Sequence, residues 1–161
     1  MLDSLLDQLA RRCGIGDAYH NYRGELVWFS RETKTAILAA MGYPTNDAGA
    51  VEYALHQREA ERWRTLLGPV TVVHPGKFEV TIAVAGNDLD RALDWRVELE
   101  GGGERRGRIR AGDLAEREGR ELDGRWQTRR ALALPDDLAH GYHSLHLTID
   151  GGASAVSTLI V

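Results

Sequence analysis

Cysteine, long apolar runs and an excess of positive charge are all scarce or missing in this sequence, and each absence excludes a class of protein. The one cysteine, Cys13, has no internal partner, which excludes a disulfide framework and suits a reducing cytoplasm. No stretch approaches the roughly 18 apolar residues of a membrane helix, and the N-terminus lacks a secretion-signal pattern. The balance of 20 Lys and Arg against 24 Asp and Glu gives no general attraction to nucleic acid or anionic lipid. We therefore expect a cytoplasmic, soluble chain without nucleic-acid or membrane partners.

The short motifs that mark catalytic or cofactor sites are also missing. The chain has no nucleophile elbow, no P-loop and no dinucleotide-binding glycine pattern after a strand. Asp and Glu are abundant, but no motif singles out the pair that glycosidase-type chemistry requires. Cys13 ends a short helical pattern and is interpreted as a small core residue. The sequence thus predicts no catalytic residue, no metal and no cofactor.

Residues 1–68 have the pattern of a small helical subdomain. An apolar stripe in the first segment, at Leu2, Leu5, Leu6 and Leu9, predicts one amphipathic helix. A second helix is predicted after Ser30, a good N-cap, and a third from about residue 46 to the Gly-Pro pair at 68–69. Between the first two, the sequence predicts a loop with a short extended piece. The third helix is too acidic to favour insertion into a DNA major groove.

Residues 69–161 change to the two-residue period of β-strands. Apolar residues alternate with polar ones in 77–86 and 94–100, and glycine-rich turns separate these runs from further strand candidates. No helical stretch lies between the strands, which disfavours a parallel βαβ sheet. The predicted fold class is α+β: a three-helix cap on residues 1–68, followed on residues 69–161 by an antiparallel, immunoglobulin-like β-sandwich of about seven strands.

The polar region at 101–125 fits this pattern least well. It is spaced by glycines and poor in apolar residues, so we interpret it as an exposed hairpin or a long loop. Its arginines at 105, 106, 108 and 110 resemble a basic strip, but neighbouring acidic residues offset their charge. A solvated face is the favoured interpretation over a phosphate-binding one.

The stretch "LAHGYHSLHL" places His140, His143 and His146 three residues apart. Strand parity would put His143 and His146 on opposite faces of a sheet, so the three do not converge as metal ligands must. Tyr142 instead follows a turn at the start of a strand, where immunoglobulin-like sandwiches carry a tyrosine whose hydroxyl bonds back to the backbone. Tyr142 is therefore a candidate structural tyrosine corner.

Four tryptophans complete the set of candidate residues. Trp95 and Trp63 face the core by their spacing, and Trp95 is predicted to be structural. Trp28 and Trp126 are the plausible exposed platforms, and an exposed indole can stack on the apolar face of a sugar ring. They are the candidate carbohydrate-binding residues, although packing in the core or at a domain interface is the favoured interpretation of each.

Several stretches, taken in order, resemble the N-terminal region of bacterial 4-alpha-glucanotransferases of the amylomaltase (MalQ) type. The resemblance covers nearly the whole chain, and its most specific parts are the helix segment ending "ILAAMG" and the turn and strand at 134–147. The stretches are "LARRCGIGDAY", "VWFSRETKTAILAAMGYP", "ERWRTLLGPVTVV", "WRVELEGG" and "LALPDDLAHGYHSLHLTI".

The resemblance implies a non-catalytic domain ahead of a (β/α)8 barrel that carries the transferase chemistry. A barrel takes about 250 residues, more than this chain contains, so no catalytic residue is carried over. The implied partner is that barrel, which the domain would stabilise or whose glucan cleft it would shape. Two alternatives remain open: a module that binds malto-oligosaccharide or glycogen, and a protein-interaction or oligomerisation module.

Overall fold

The structure, a computed structural model, describes residues 1–74 and 76–161. Within them the chain forms three α-helices and ten β-strands, together with two 3-10 turns at Gly86–Asp88 and Ala111–Asp113. The helices are α1 (Leu2–Arg12), α2 (Arg31–Ala40) and α3 (Ala48–Arg64). The strands are β1 (Ala18–His20), β2 (Leu26–Trp28), β3 (Val70–Val72), β4 (Glu79–Ala85), β5 (Ala92–Glu98), β6 (Glu104–Arg110), β7 (Ala115–Leu122), β8 (Arg125–Ala133), β9 (Tyr142–Ile149) and β10 (Ser154–Ile160). The predicted α+β class is confirmed.

The chain divides into two compact units, Met1–Glu61 and Arg62–Val161. The division falls inside α3, a few residues before the boundary at 68/69 that the sequence suggested. That boundary remains a prediction. None of the described helices is long and apolar enough to cross a bilayer.

The first unit is built on apolar stripes of its helices. Leu6 and Leu9 of α1 pack with Leu38 of α2 and Val51 of α3, and all four are buried. As predicted, α2 begins after Ser30, whose Oγ accepts a hydrogen bond from the backbone N–H of Thr33 at 3.2 Å. The predicted extended piece is the two-stranded hairpin β1–β2.

A buried lysine links the elements of this unit. The Lys34 ammonium donates to Asp17 at 2.6 Å and to Asp7 at 2.9 Å. These bonds raise the pKa of Lys34, and the hydrogen bond from Lys34 lowers the pKa of Asp17. A cation taken out of water requires such partners, so the pairs belong to the packing of the unit.

The second unit is a β-sandwich. One sheet has five strands in the order β3-β10-β9-β5-β6, and the other has three in the order β4-β8-β7. Their facing sides form one apolar core, since alternate residues of β4, β5 and β9 point inward, as the two-residue period predicted. The core residues of β9 are Leu145, Leu147 and Ile149.

Two details of the sandwich differ from the sequence-based expectation. Strand β3 pairs with β10 in parallel, so the five-stranded sheet is mixed rather than fully antiparallel. The region 101–125 is neither a hairpin nor a long loop, because β6 and β7 belong to different sheets and the 3-10 turn between them crosses from one to the other. The sequence did not reveal these two strands because they lack a regular apolar alternation. Strand β7 is almost wholly exposed, and β6 carries arginine on its outward positions.

A buried arginine secures that crossing. The Arg130 guanidinium points into the sandwich and donates to the carbonyl oxygens of Leu114 at 2.7 Å and Gly112 at 3.1 Å. It also bonds Thr128 Oγ1 at 3.1 Å and Glu116 Oε2 at 2.7 Å. Nothing in the local sequence distinguishes Arg130 from its exposed neighbours, so sequence analysis missed this contact.

Candidate functional site

The outer face of the five-stranded sheet is the candidate site, and it has two chemically different halves. We call one the charged half, formed by outward side chains of β5, β6 and β9. Its members are Asp94, Arg96, Glu98, Glu104, Arg106, Arg108 and His146. We call the other the apolar patch, formed by outward side chains of β3, β9 and β10. Its members are Val70, Val72, Tyr142, Val156 and Ile160.

Ion pairs neutralise the charged half. Arg108 Nη1 lies 3.0 Å from Asp94 Oδ2, and Arg96 Nη1 lies 2.5 Å from Glu98 Oε1. His146 Nε2 is 3.3 Å from Glu98 Oε2, although it makes no hydrogen bond within the described part of the chain. Asp94, Arg96, Arg106, Arg108 and His146 of this half line a groove of about 540 Å³. The groove therefore presents paired, hydrogen-bonding groups rather than a field of one sign.

Beneath the charged half, a glycine leaves room for Trp95. The indole of Trp95 lies against Gly107 of the neighbouring edge strand, where an added Cβ would come 2.6 Å from the ring carbon Cζ2. Trp95 also packs on the core of the sandwich. These contacts are consistent with the structural role predicted for Trp95.

The four arginines of the suspected basic strip each have an acidic partner. Arg105 Nη2 lies 2.7 Å from Asp137 Oδ2, and Arg110 pairs with Asp90 and Asp113. Arg106 is the most exposed of the four, 3.8 Å from Glu104. The hydrogen bond from Arg105 lowers the pKa of Asp137, and the same bond raises the pKa of Arg105. The acidic residues that offset the strip are thus mostly aspartates from other segments.

The histidine stretch has a structural arrangement. His143 is buried on the inner face, whereas His146 lies on the outer face, so strand parity separates them as predicted. His143 Nδ1 accepts a hydrogen bond from the Glu100 backbone N–H at 3.1 Å. Its Nε2 is 2.9 Å from the Ala139 carbonyl oxygen and donates to it in the tautomer that satisfies both contacts. His143 thereby ties the turn before β9 to the end of β5.

Tyr142 does not occupy the buried corner that the sequence suggested. Its side chain is 64% exposed on the outer face, and its hydroxyl makes no hydrogen bond to any residue that the structure describes. The physical reason is strand parity, since the inward positions of β9 begin at His143. Its backbone N–H donates instead to Glu100 Oε2 at 2.9 Å.

The two candidate platforms lie in different units. Trp28, on β2, is 69% exposed, and Trp126, on β8, is 50% exposed. The Trp126 ring lies against Gly119, where an added Cβ would come 2.6 Å from Cζ2. Backbone thus supports this indole from one side while half of its surface meets solvent.

Known proteins match both the sequence and the fold. Residues 66–161 match the family described as the MalQ N-terminal beta sandwich domain. The chain belongs to this family. Over 156 residues it is 31% identical to proteins named 4-alpha-glucanotransferase from Mycobacterium bovis and Mycobacterium tuberculosis, a match that covers 97% of this chain and 21% of each relative.

A solved structure extends the likeness to the whole chain. The crystal structure of amylomaltase from Corynebacterium glutamicum aligns with a TM-score of 0.73 and 26% sequence identity. The alignment covers 98% of this chain and 22% of that one. The chain therefore spans about a fifth of the length of the relatives it matches, and the resemblance stated from its motifs is confirmed.

Proposed function

We propose that this chain is the non-catalytic N-terminal part of a cytoplasmic 4-alpha-glucanotransferase, a protein that transfers alpha-1,4-glucan segments between maltodextrins. The observation that supports this best is the match of nearly the whole chain to about a fifth of such relatives. A catalytic barrel needs about 250 residues, more than the 161 of this chain, so the reacting carboxylates belong to the remainder of the protein. The helical subdomain at 1–68 and the sandwich at 69–161 are the proposed parts.

The proposed role is to pack on the catalytic barrel, to stabilise it and to shape one end of its glucan cleft. A domain that binds the folded barrel and not the unfolded one stabilises it by mass action, and a covalent link makes that binding intramolecular.

Deletion of residues 1–161 from the full-length enzyme tests this role. We expect a lower Tm of the barrel, measured by scanning calorimetry, and a changed length distribution of the glucans formed from maltotriose. The control is the same barrel mixed with the separate chain, which should restore part of both properties. An unchanged Tm together with an unchanged length distribution would contradict the proposal.

The exposure of Trp126 supports a second candidate function, the binding of malto-oligosaccharide or glycogen. An indole backed by Gly119 and half open to solvent can stack on a glucose ring, and Trp28 is a separate, independent platform. Titration of the chain with maltoheptaose should then shift tryptophan fluorescence, and Trp126→Ala and Trp28→Ala should each remove the part of the shift that comes from its own platform. Buried Trp63 is the internal reference that the sugar should not affect. No shift at millimolar maltoheptaose would count against this function.

A further inference from the structure

The apolar patch is a continuous surface on three neighbouring strands. The register places Val72, Ile160 and Tyr142 in one row across β3, β10 and β9. Val70 lies in the next row beside the exposed Thr158, and Val156 lies one row further along β10. Strands lie about 4.8 Å apart and side chains on one face repeat every 6.6 Å or so. Val70 is therefore the diagonal neighbour of both Ile160 and Val156 and links them past Thr158. Val70, Val72, Tyr142 and Val156 are each between 55% and 64% exposed.

The folding of the sandwich does not account for this composition. In a sheet with one face on the core and one in water, outward positions are ordinarily polar, as they are in the charged half. The patch instead places valine, isoleucine and tyrosine at five outward positions, with Thr158 and Ser144 as the polar residues among them. Contiguous apolar surface of this kind is typical of protein contacts, and a tyrosine supplies both apolar area and a hydroxyl for a partner.

The surroundings of the patch also resemble an interface. Val156 stands in register with His146, which in turn stands in register with Arg96, so charged residues border the patch on one side. An apolar centre with a polar rim is the usual anatomy of a protein interface. The ion pairs of the charged half keep that rim close to neutral, so it does not repel a partner of either sign.

We propose that the apolar patch is the face through which the sandwich docks on the catalytic barrel of its own polypeptide, an inference that rests on the proposed function. In a family of N-terminal domains the chain leaves the sandwich through its last strand, β10, which itself carries Val156 and Ile160 of the patch. The relatives are about five times as long as this chain, and a covalent link to the remainder makes docking intramolecular, so a patch of modest size is sufficient. The occupant is an apolar area of the barrel surface with a hydrogen-bonding group opposite the Tyr142 hydroxyl.

Thiol labelling of the full-length enzyme tests the docking face. In a variant in which Cys13 and any other reactive cysteine are replaced by serine, Val156→Cys lies in the patch. Ser154→Cys, on the same strand and the same face two residues away, is the matched control. We expect a maleimide to label Val156→Cys at least about tenfold more slowly than Ser154→Cys, because a covered thiol reacts only after local opening. Equal labelling rates in the native enzyme would overturn the proposal.

A second pair of variants gives the same answer by a different measurement. Val156→Lys should lower the Tm of the full-length enzyme, whereas Ser154→Lys, which adds the same charge on the same strand, should not. Both side chains point away from the sandwich core, so far-ultraviolet circular dichroism should show the same fold for both. Identical Tm values for the two variants would contradict docking through the patch.

The outcomes separate this proposal from the function on which it rests. If deletion of residues 1–161 lowers the Tm but Val156→Cys reacts freely, the domain acts through another face and this inference alone fails. If the deletion changes nothing, the proposed function itself fails. Protection of Val156→Cys that disappears on hundredfold dilution, with light scattering showing a dimer before dilution, would assign the patch to a second copy and overturn the occupant proposed here.

Discussion

The two halves of the outer sheet face share one inner face and differ almost completely outside. Behind both, Leu93 and Val97 of β5, Leu145 and Leu147 of β9 and Leu159 of β10 form a single core. Outside, β5 and β6 present paired charges, whereas β3 presents valines and β10 alternates valine and isoleucine with uncharged serine and threonine. The core therefore explains why the sheet forms, and the proposed contact with the barrel would explain why its outer surface changes character from one edge to the other.

The largest loss of stability should follow from a substitution on the buried inner face of the sheet, which lies behind both halves. Leu147 stands in register with Trp95 on one side and Ala155 on the other, and it is almost fully buried. Leu147→Ala should lower the free energy of unfolding by about 2–5 kcal/mol, because it leaves a cavity beneath both halves.

Urea unfolding of the chain measures this effect. The exposed neighbour Thr148→Ala is the control and should change stability by no more than about 0.5 kcal/mol. A similar cost for both variants would mean that the inner face is not the main source of stability.

A second substitution acts on the inner face beneath the charged half. Gly107→Ala places a Cβ within 2.7 Å of three atoms of the Trp95 indole, and the ring must shift against the core. We expect a loss of about 1–3 kcal/mol, the usual cost of overpacking.

Gly101→Ala is the matched control for Gly107→Ala, since an added Cβ there meets nothing within 4 Å. Near-ultraviolet circular dichroism should report the displaced tryptophan in Gly107→Ala only. If Gly107→Ala is as stable as the control, Trp95 does not hold β6 against β5 in the way the structure indicates.

A smaller, pH-dependent effect should come from the ion pair of Arg105 on the edge strand β6. The hydrogen bond from Arg105 holds the pKa of Asp137 below its ordinary value of 3.8. Because the pKa of Asp137 is lower in the folded chain than in the unfolded one, the ion pair contributes its full stabilisation at neutral pH. It declines as the pH falls through 3.8 and disappears below the folded pKa. Both side chains are exposed, so the effect is weak and sensitive to salt.

Asp137→Asn should therefore lower the urea midpoint slightly at pH 7 and leave it unchanged at the acid end of a pH series. The neighbouring Asp136→Asn serves as control, because Asp136 has no ion pair among the residues that the structure describes. A difference between Asp137→Asn and the wild type that stays constant down to the lowest pH would rule out this linkage.

Local patterns in the sequence were sufficient to predict much of the fold. The N-cap at Ser30, the apolar stripe of α1 and the alternation of β5 and β9 depend on neighbours within a few positions, and each is present in the structure. The face predicted for α2 was wrong, because Lys34 and Leu38 are buried and Ile37 and Met41 are exposed. Strands β6 and β7 were missed, because an edge strand with outward arginines resembles a loop. The parallel pairing of β3 with β10 joins residues some 90 positions apart, which local patterns do not encode.

Less of the candidate site than of the fold could be predicted from the sequence. For Trp28 and Trp126 the sequence favoured packing in a core or interface over exposure, yet both are exposed, and their role in carbohydrate binding remains a prediction. The apolar patch was not recognised, although Val70, Val72 and Val156 are visible in the sequence. Whether such residues point inward or outward depends on which strands become neighbours, and that assignment required the register of β3, β9 and β10.

The smallest change in stability should come from removal of the Tyr142 hydroxyl. This substitution distinguishes a structural tyrosine corner from a residue of the docking patch. Because the hydroxyl has no partner among the described residues and the ring is largely exposed, Tyr142→Phe should change the stability of the chain by no more than about 0.5 kcal/mol. A loss of about 1 kcal/mol or more in urea unfolding would instead favour the tyrosine corner, since that is the usual contribution of one internal hydrogen bond. In the full-length enzyme the same substitution leaves the patch apolar but removes its hydroxyl. A fall in Tm there, without one in the separate chain, would place the partner of that hydroxyl on the barrel.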